Sequence, residues 1–365
     1  MLKIIFVILL ILHGLIHMLG FVKGFKLTSV TTLTQNISKP VGLLWLLAAL
    51  LLMITAIVFY LQKGWWWMIA VPAVILSQML IIRYWQDAKF GTIANLIVIL
   101  ITILGISTWN FKNMVKNELK SFKVSAPVEI KVVTNEMLTK LPPVIQKWLQ
   151  RSNVVGQKMV YNVHLRQSGE MRSTPDGKWM PLHAEQWFTI KNPGFIWSGN
   201  AKIAPGIHIL ARDKYEHGQG HMLIKLLALF PIADVKGKEI SQGAMLRYLS
   251  ETFWFPTSVL SDYIQWQQVD SLTARIIMNN GGISDSGLVK FNTNYDLISF
   301  EARRYYDRKG GATLEDWLIQ VEPDGYKEYS GVRIPAKSTV TWKLKEGDFC
   351  WLKVEVIDIK YNEIE

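Results

Sequence analysis

The polar side chains best placed to do chemistry lie between residues 183 and 221. His183, Glu185, Trp187, His208, Arg212, Asp213, His217 and His221 occupy two segments of alternating character and the turn after them. In a strand, residues two apart share a face, so Glu185 goes with Trp187 and His208 with Arg212. If Glu185 and Arg212 both point inward they form a buried ion pair. Such a pair needs mutual satisfaction, and it can orient the polar end of a ligand. Glu185, Trp187, His208, Arg212 and Asp213 are therefore the candidate ligand-binding residues. The ordinary alternative is two exposed sheet faces, because inward-facing charges are uncommon. Asp213, His217 and His221 carry metal-ligating groups. Their spacing fits no standard site and Gly218 and Gly220 make the segment a turn, so no metal is expected there.

A second polar set falls in an apolar setting. His13 and His17 lie four apart in a hydrocarbon run and project from one helix face. Two such imidazoles can share a metal or haem iron. The competing reading, which the lack of a third ligand favours, is neutral histidines hydrogen-bonding across a helix bundle beside Gly14 and Gly20. Arg83, Asp87 and Lys89 sit in the link RYWQDAKFGTIAN, with Asn95 just beyond. They suit an anion or headgroup pocket, but the favoured reading is a solvated turn whose charges snorkel and pin helix ends.

Other chemistries lack their signatures. There is no nucleophile elbow, phosphate loop, dinucleotide fingerprint or zinc motif. The lone Cys350 lies in a strand-like run between Phe349 and Trp351, as a packed small hydrophobe does. The net charge of +11 is not a nucleic-acid signature. Residues 1–120 hold 10 Lys/Arg against 2 Asp/Glu, and the remainder holds 30 against 27. The excess thus belongs to links between apolar runs, where cations meet headgroups. One cysteine permits no internal disulfide.

The elements that must position these groups differ along the chain. Residues 2–22, 41–61, 65–82 and 93–111 are apolar runs of 18–21 residues, enough to cross a ~30 Å hydrocarbon core as helices. Residues 1–111 are read as a four-span transmembrane module, 112–140 as a lysine-rich juxtamembrane linker, and 141–365 as a soluble domain. Lys3, Lys63, Lys112, Lys116, Lys120 and Lys123 stand on one side, and Lys23, Lys26, Lys39, Arg83 and Lys89 on the other. The cluster after the fourth run tips the termini, and with them the soluble domain, to the cytoplasmic side.

After a helix begun by Pro142-Pro143, the period becomes two. Ten strand-like runs start near residue 159 and recur at 184–191, 195–203, 207–215, 272–279, 286–292, 296–305, 316–322, 337–345 and 349–361, with turn signals between many of them. Residues 218–262 break the pattern as two greasy segments, both read as helical. The expected fold class is α+β: four transmembrane helices, then a large curved antiparallel sheet, half-barrel-like, with a helical plug. Such an architecture can enclose an apolar ligand, or its helices and sheet can equally pack on each other with no cavity.

The stretches LPPVIQKWLQRS, VHLRQSGEMRSTPDGKWMPLHAEQWFTIKNPGFIWSGNAKIAPGIHILARDKYEHGQGHMLIKLLALFPIADVKG and LRYLSETFWFPTSVL resemble a bacterial domain-of-unknown-function family over roughly residues 141–361. HGLIHMLGFVKGF and WQDAKFGTIAN resemble a membrane module carried by some members. The resemblance implies a soluble part that folds alone, and it brings no activity or cofactor with it. Strands broken by a helical insert also look like the LolA-like lipoprotein-carrier fold, an analogy of architecture. Three functions are therefore weighed. First comes a multi-pass protein of the bacterial inner membrane whose soluble domain binds a lipid or other apolar ligand, with membrane lipids as partners. Second is a membrane-bound enzyme using Glu185, Arg212 and nearby histidines. Third is a protein-interaction module. Cofactors, protein partners and any reaction are left open.

Overall fold

Long apolar runs must satisfy their backbone groups internally, and the N-terminal third folds as helices. These are α1 (Leu2–Gly24), α2 (Lys39–Tyr60), α3 (Trp67–Arg83), the single turn α4 (Trp85–Ala88) and α5 (Gly91–Phe122). By length and composition α1, α2 and α5 are able to cross a membrane; α3 is a shorter apolar helix of 17 residues. Ile4, Ile8, Leu12 and Leu15 leave one side of α1 exposed and greasy, while Leu10, His13, Gly14 and His17 are buried. A Cβ on Gly24 would come within 3.1 Å of the Gly42 Cα, so glycine lets α1 and α2 close on each other.

This computed structural model describes residues 1–122 and 131–363. Part of the expected 112–140 linker, Lys123 included, lies outside the described residues. Residues 112–122 continue α5 without a break. The chain packs as two units, Met1–Met114 with Leu227–Leu229, and Val115–Leu226 with Phe230–Glu365.

In the second unit come α6 (Asn135–Leu138) and α7 (Pro143–Arg151), then β1 (Asn162–Met171), β2 (Met180–Thr189), β3 (Gly194–Ala204), β4 (Ile207–Glu216), β5 (Gln219–Leu226) and β6 (Phe230–Lys236). The helix α8 (Lys238–Glu251) leads into two short 3-10 turns. The chain closes with β7 (Ile264–Gln268), β8 (Thr273–Asn280), β9 (Ile283–Phe291), β10 (Leu297–Tyr306), β11 (Thr313–Val321), β12 (Tyr326–Tyr329), β13 (Val332–Pro335), β14 (Lys337–Leu344) and β15 (Gly347–Tyr361). Proline at the first turn of α7 needs no amide partner, and the helix buries Val144, Ile145, Trp148 and Leu149 on one face.

Thirteen strands form one antiparallel sheet in the order β6-β5-β4-β3-β2-β1-β15-β14-β11-β10-β9-β8-β7. The last strand, β15, pairs with β1 and joins the two wings. The sheet curls into a half-barrel, and packing shows why. The helix α8 touches β4, β5 and β6 of one wing and β8, β9 and β10 of the other. Laid flat, β5 and β9 stand nine positions apart, or about 40 Å at the usual ~4.8 Å spacing. A helix about 10 Å across cannot span that, so the wings must bend toward it.

The wings also meet directly. In the β4–β5 turn Gly218 has φ +77°, and in the β8–β9 turn Gly281 has φ +59°. A Cβ on Gly218 would lie 2.4 Å from the Gly281 Cα. Asn280 donates to the Tyr215 hydroxyl across the same seam at 2.8 Å.

All ten strands expected from alternation are present. One expectation is corrected. The first greasy segment, within 218–236, is the β5–β6 hairpin rather than a helix, so only α8 and the 3-10 turns after it supply helix between residues 218 and 262. Leu227 and Ala228 make its turn at φ +54° and +59°, a conformation normally supplied by glycine or asparagine, so no turn residue marked it. The strands β7, β12 and β13 were not expected either: at four or five residues they are too short for alternation to mark them.

Alanine at Gly281 should lower stability by about 1–3 kcal/mol through left-handed backbone strain plus the seam clash. Gly282 has φ +77° and open space around it, so its alanine variant should lose less. Thermal midpoints followed by far-UV circular dichroism compare the two. Equal losses would show that the seam contributes nothing.

Candidate functional site

Alternation decides which side chains enter the half-barrel. On β2, Leu182, Ala184, Gln186 and Phe188 are buried, and Gln186 reaches α8. Its neighbours Glu185 and Trp187 therefore point outward. On β4, Asp213 reaches α8, so His208 and Arg212 point outward as well.

Of the residues singled out in sequence, only Asp213 lies on the concave face. Glu185 stands 3.9 Å from His164, whose ring stacks on Trp187 at 4.8 Å. His208 faces Lys202 in the β3–β4 register. Arg212 is buried on the outer side beneath Glu118, with 3.1 Å between charged groups, and donates to the His221 carbonyl at 2.7 Å. The Glu185–Arg212 pair does not form. His221 turns to Asp234 at 2.7 Å and His217 is exposed, so neither joins Asp213. A cleft of about 710 Å³ opens on the basic flank formed by Lys214, His217, His221, Lys236 and Lys238.

The concave face holds a connected polar chain instead. Trp197 Nε1 donates to Gln167 Oε1 at 2.8 Å, and Gln167 donates to Gln186 at 3.3 Å. Gln186 donates to Glu251 at 2.7 Å. One helical turn earlier, Arg247 donates to Glu251 at 2.9 Å and to Asp213 at 2.7 Å. Its guanidinium also lies 5.0 Å from the ring centres of Phe195 and Trp197. Nearby, Gln242 donates to Asp285 at 2.6 Å and to the Arg303 carbonyl at 2.9 Å.

Burial disfavours charge on Arg247, but Glu251 and Asp213 outweigh it and raise its pKa. Burial pushes the Glu251 carboxyl upward, against the opposing pull of Arg247 and Gln186. The chain can position a polar group in a desolvated place, as specific binding requires.

Gln167, Gln186, Gln242, Arg247, Glu251 and Arg304 escaped the sequence reading. For Gln186 and Arg304 a signal existed: each keeps the phase of buried neighbours, Ala184 and Phe188 for one, Phe300 and Ala302 for the other.

In the first unit the polar residues divide. His13 Nε2 lies 2.9 Å from Asn95 Oδ1 and 3.2 Å from Ser77 Oγ. Asn95 donates to Ser77 at 2.9 Å and Gln78 at 3.0 Å. His17 Nδ1 lies 2.9 Å from the His13 carbonyl, while its buried Nε2 has no partner among the described residues. Asp87 goes elsewhere, accepting from the Thr34 and Gln35 amides at 2.7 and 3.2 Å. Arg83 and Lys89 are exposed and do not join the cluster.

A family of unknown function (DUF6544) has a family model that matches residues 131–354. No curated protein matches the chain. Solved structures that match include a candidate outer membrane lipoprotein-sorting protein domain from Vibrio parahaemolyticus, at 12% identity and TM-score 0.34, covering 61% of this chain and 92% of that one. Another is a DUF1329 family protein from Desulfovibrio piger, at 10% identity and TM-score 0.29, covering 60% and 90% respectively.

Replacing Arg247 by methionine strands two buried carboxylates and should cost about 3–5 kcal/mol. The triple change Arg247→Met, Asp213→Asn, Glu251→Gln should recover most of that loss, as read by thermal unfolding. A second expectation concerns pH. A carboxyl whose folded pKa is raised stabilises most below the ordinary carboxylate range, and this stability is lost as pH rises through the folded value. The unfolding midpoint should fall over that window, and Glu251→Gln should flatten the profile. An unchanged slope would mean Glu251 stays ionised throughout.

Proposed function

The chain belongs to this family of unknown function, and on that footing we propose that its β-rich domain binds a lipid or other apolar ligand on the concave face of the half-barrel. The carrying observation is a wall of large apolar side chains left only half-buried there: Trp197, Tyr306, Ile319, Leu344 and Leu352. They alternate in phase with fully buried Phe300, Trp317 and Val340, so they belong to the inner face and not to the outer one. Apolar surface of this kind gains about 25 cal/mol per Å² when an apolar chain covers it. The polar chain through Gln167, Gln186, Glu251 and Arg247 supplies the few oriented hydrogen-bonding groups that such sites add for specificity.

The N-terminal helices are the membrane anchor in this reading, supported by three helices able to span and by their exposed apolar faces. We place the protein in the bacterial inner membrane with the soluble domain on the cytoplasmic side. The support is the run Lys112, Lys116 and Lys120 following the last apolar stretch, where the positive-inside rule puts the cytoplasm. Membrane lipids are then both surroundings and source of ligand.

Native mass spectrometry of the full chain, released from detergent, tests this. Wild type should retain a lipid-sized adduct. Ile319→Glu, which puts a charge in the wall, should lose it while keeping the same circular dichroism spectrum. An adduct of equal occupancy in both would mean the lipid is held by the helices alone, and the domain reading would fail.

A further inference from the structure

Arg304 on β10 is out of place chemically. It follows buried Phe300 and Ala302 on the concave face of the strand. Its guanidinium lies over the Trp317 ring at 4.9 Å and near that of Trp342 at 5.9 Å. Gly243 on α8 makes room, since a Cβ there would lie 2.8 Å from Arg304 Nε. Arg304 forms no hydrogen bond or ion pair among the described residues. The two carboxylates that act on it through space, Asp213 and Glu251, close on Arg247 instead. Partial burial, with the Arg247 charge nearby, pulls its pKa down to about 10, against the opposing pull of Asp213 and Glu251.

Beside it is a second orphan. Trp317 is 3% exposed, and its indole N–H has no partner among the described residues. A buried donor without an acceptor is destabilising, and a charged one more so. Two donors without a hydrogen-bond partner among the described residues thus lie on neighbouring strands of the concave face, where Glu315, opposite Arg304, is held by Arg308. The ring contacts take none of the guanidinium's hydrogen-bonding capacity, and its N–H groups can meet an oxyanion with two parallel hydrogen bonds.

We infer that Arg304, with the Trp317 indole N–H, receives the oxyanion head, carboxylate or phosphate, of an amphiphile whose chain lies along the concave wall. The inference rests on the lipid-binding reading above and adds the head-group chemistry to it. A neutral lipid could accept from both donors but would leave the guanidinium charge unmatched, whereas a free anion would leave the wall uncovered.

The test uses the full chain in phosphatidylcholine nanodiscs and hexadecanoic acid bearing a mid-chain diazirine, with crosslinks mapped to peptides. Wild type should crosslink on β10, β11, β14 and α8. Arg304→Gln should lower that yield about 10–100-fold, as loss of a charged hydrogen bond implies. Trp317→Phe keeps the ring, loses the N–H, and should lower it about tenfold or less. Should Arg304→Gln fail to fold, the Trp317→Phe result and the competition arms still decide. Decanoate or decyl phosphate should displace the probe and decanol should not, and the better of the two acids identifies the head. If decanol competes equally and Arg304→Gln crosslinks as wild type, the head-group inference is overturned while lipid binding stands. Displacement by acetate or inorganic phosphate alone at equal concentration would make this a free-anion site and overturn it too. Absence of any crosslink on the concave strands would overturn the lipid reading itself.

Discussion

Arg247 is carried by α8 into a desolvated interior, and it is tolerable there only because Asp213 from β4 and Glu251 from the next helical turn both meet it. An unpaired guanidinium in that position would cost several kcal/mol. The requirement reaches far. Arg247 ties the helix to one wing of the sheet, and Gln186 extends the tie to β2. On its other side α8 donates from Gln242 to Asp285 of β9. A helix bonded to both wings holds the sheet curled, and the curl is what creates a concave face. The ion pairs of α8 are therefore a condition for the site as well as contributors to stability.

That dependence explains why the helix carries little amphipathic signature. Residues from Ser241 to Glu251 are buried on nearly every side, since strands surround α8. Its polar residues do not mark a solvent face; they are the internal fasteners. The same condition governs the N-terminal bundle on its own scale. His13, Ser77, Gln78 and Asn95 meet inside an apolar setting, where an unmet polar group is expensive, and they satisfy one another.

The outer face of the sheet has a different character. Glu185, Trp187, His208 and Arg212 stand there among partners on neighbouring strands, or in the case of Arg212 beneath Glu118. These are the residue types that catch the eye in a linear reading. The geometry gives them cross-strand neighbours and leaves the interior to residues of plainer appearance, glutamines above all.

Local period and composition were enough to read the apolar helices, the proline-started α7, ten strands with their turns, and the α+β half-barrel class. Each depends on contacts within a few residues, where backbone hydrogen bonding and side-chain alternation act. The phase of alternation was legible too: Arg304 keeps step with Phe300 and Ala302, and Gln186 with Phe188. Two things were not legible. The β5–β6 hairpin turns through Leu227 and Ala228, whose left-handed backbone is imposed by the pairing of the strands and not by residue preference. The site is assembled from β1, β2, β4, α8 and β10, segments up to 137 positions apart, Gln167 to Arg304. Which carboxylate meets Arg247, and that none among the described residues meets Arg304, follows from how the wings close around α8, because charges in a desolvated interior answer to distances that only the folded sheet sets.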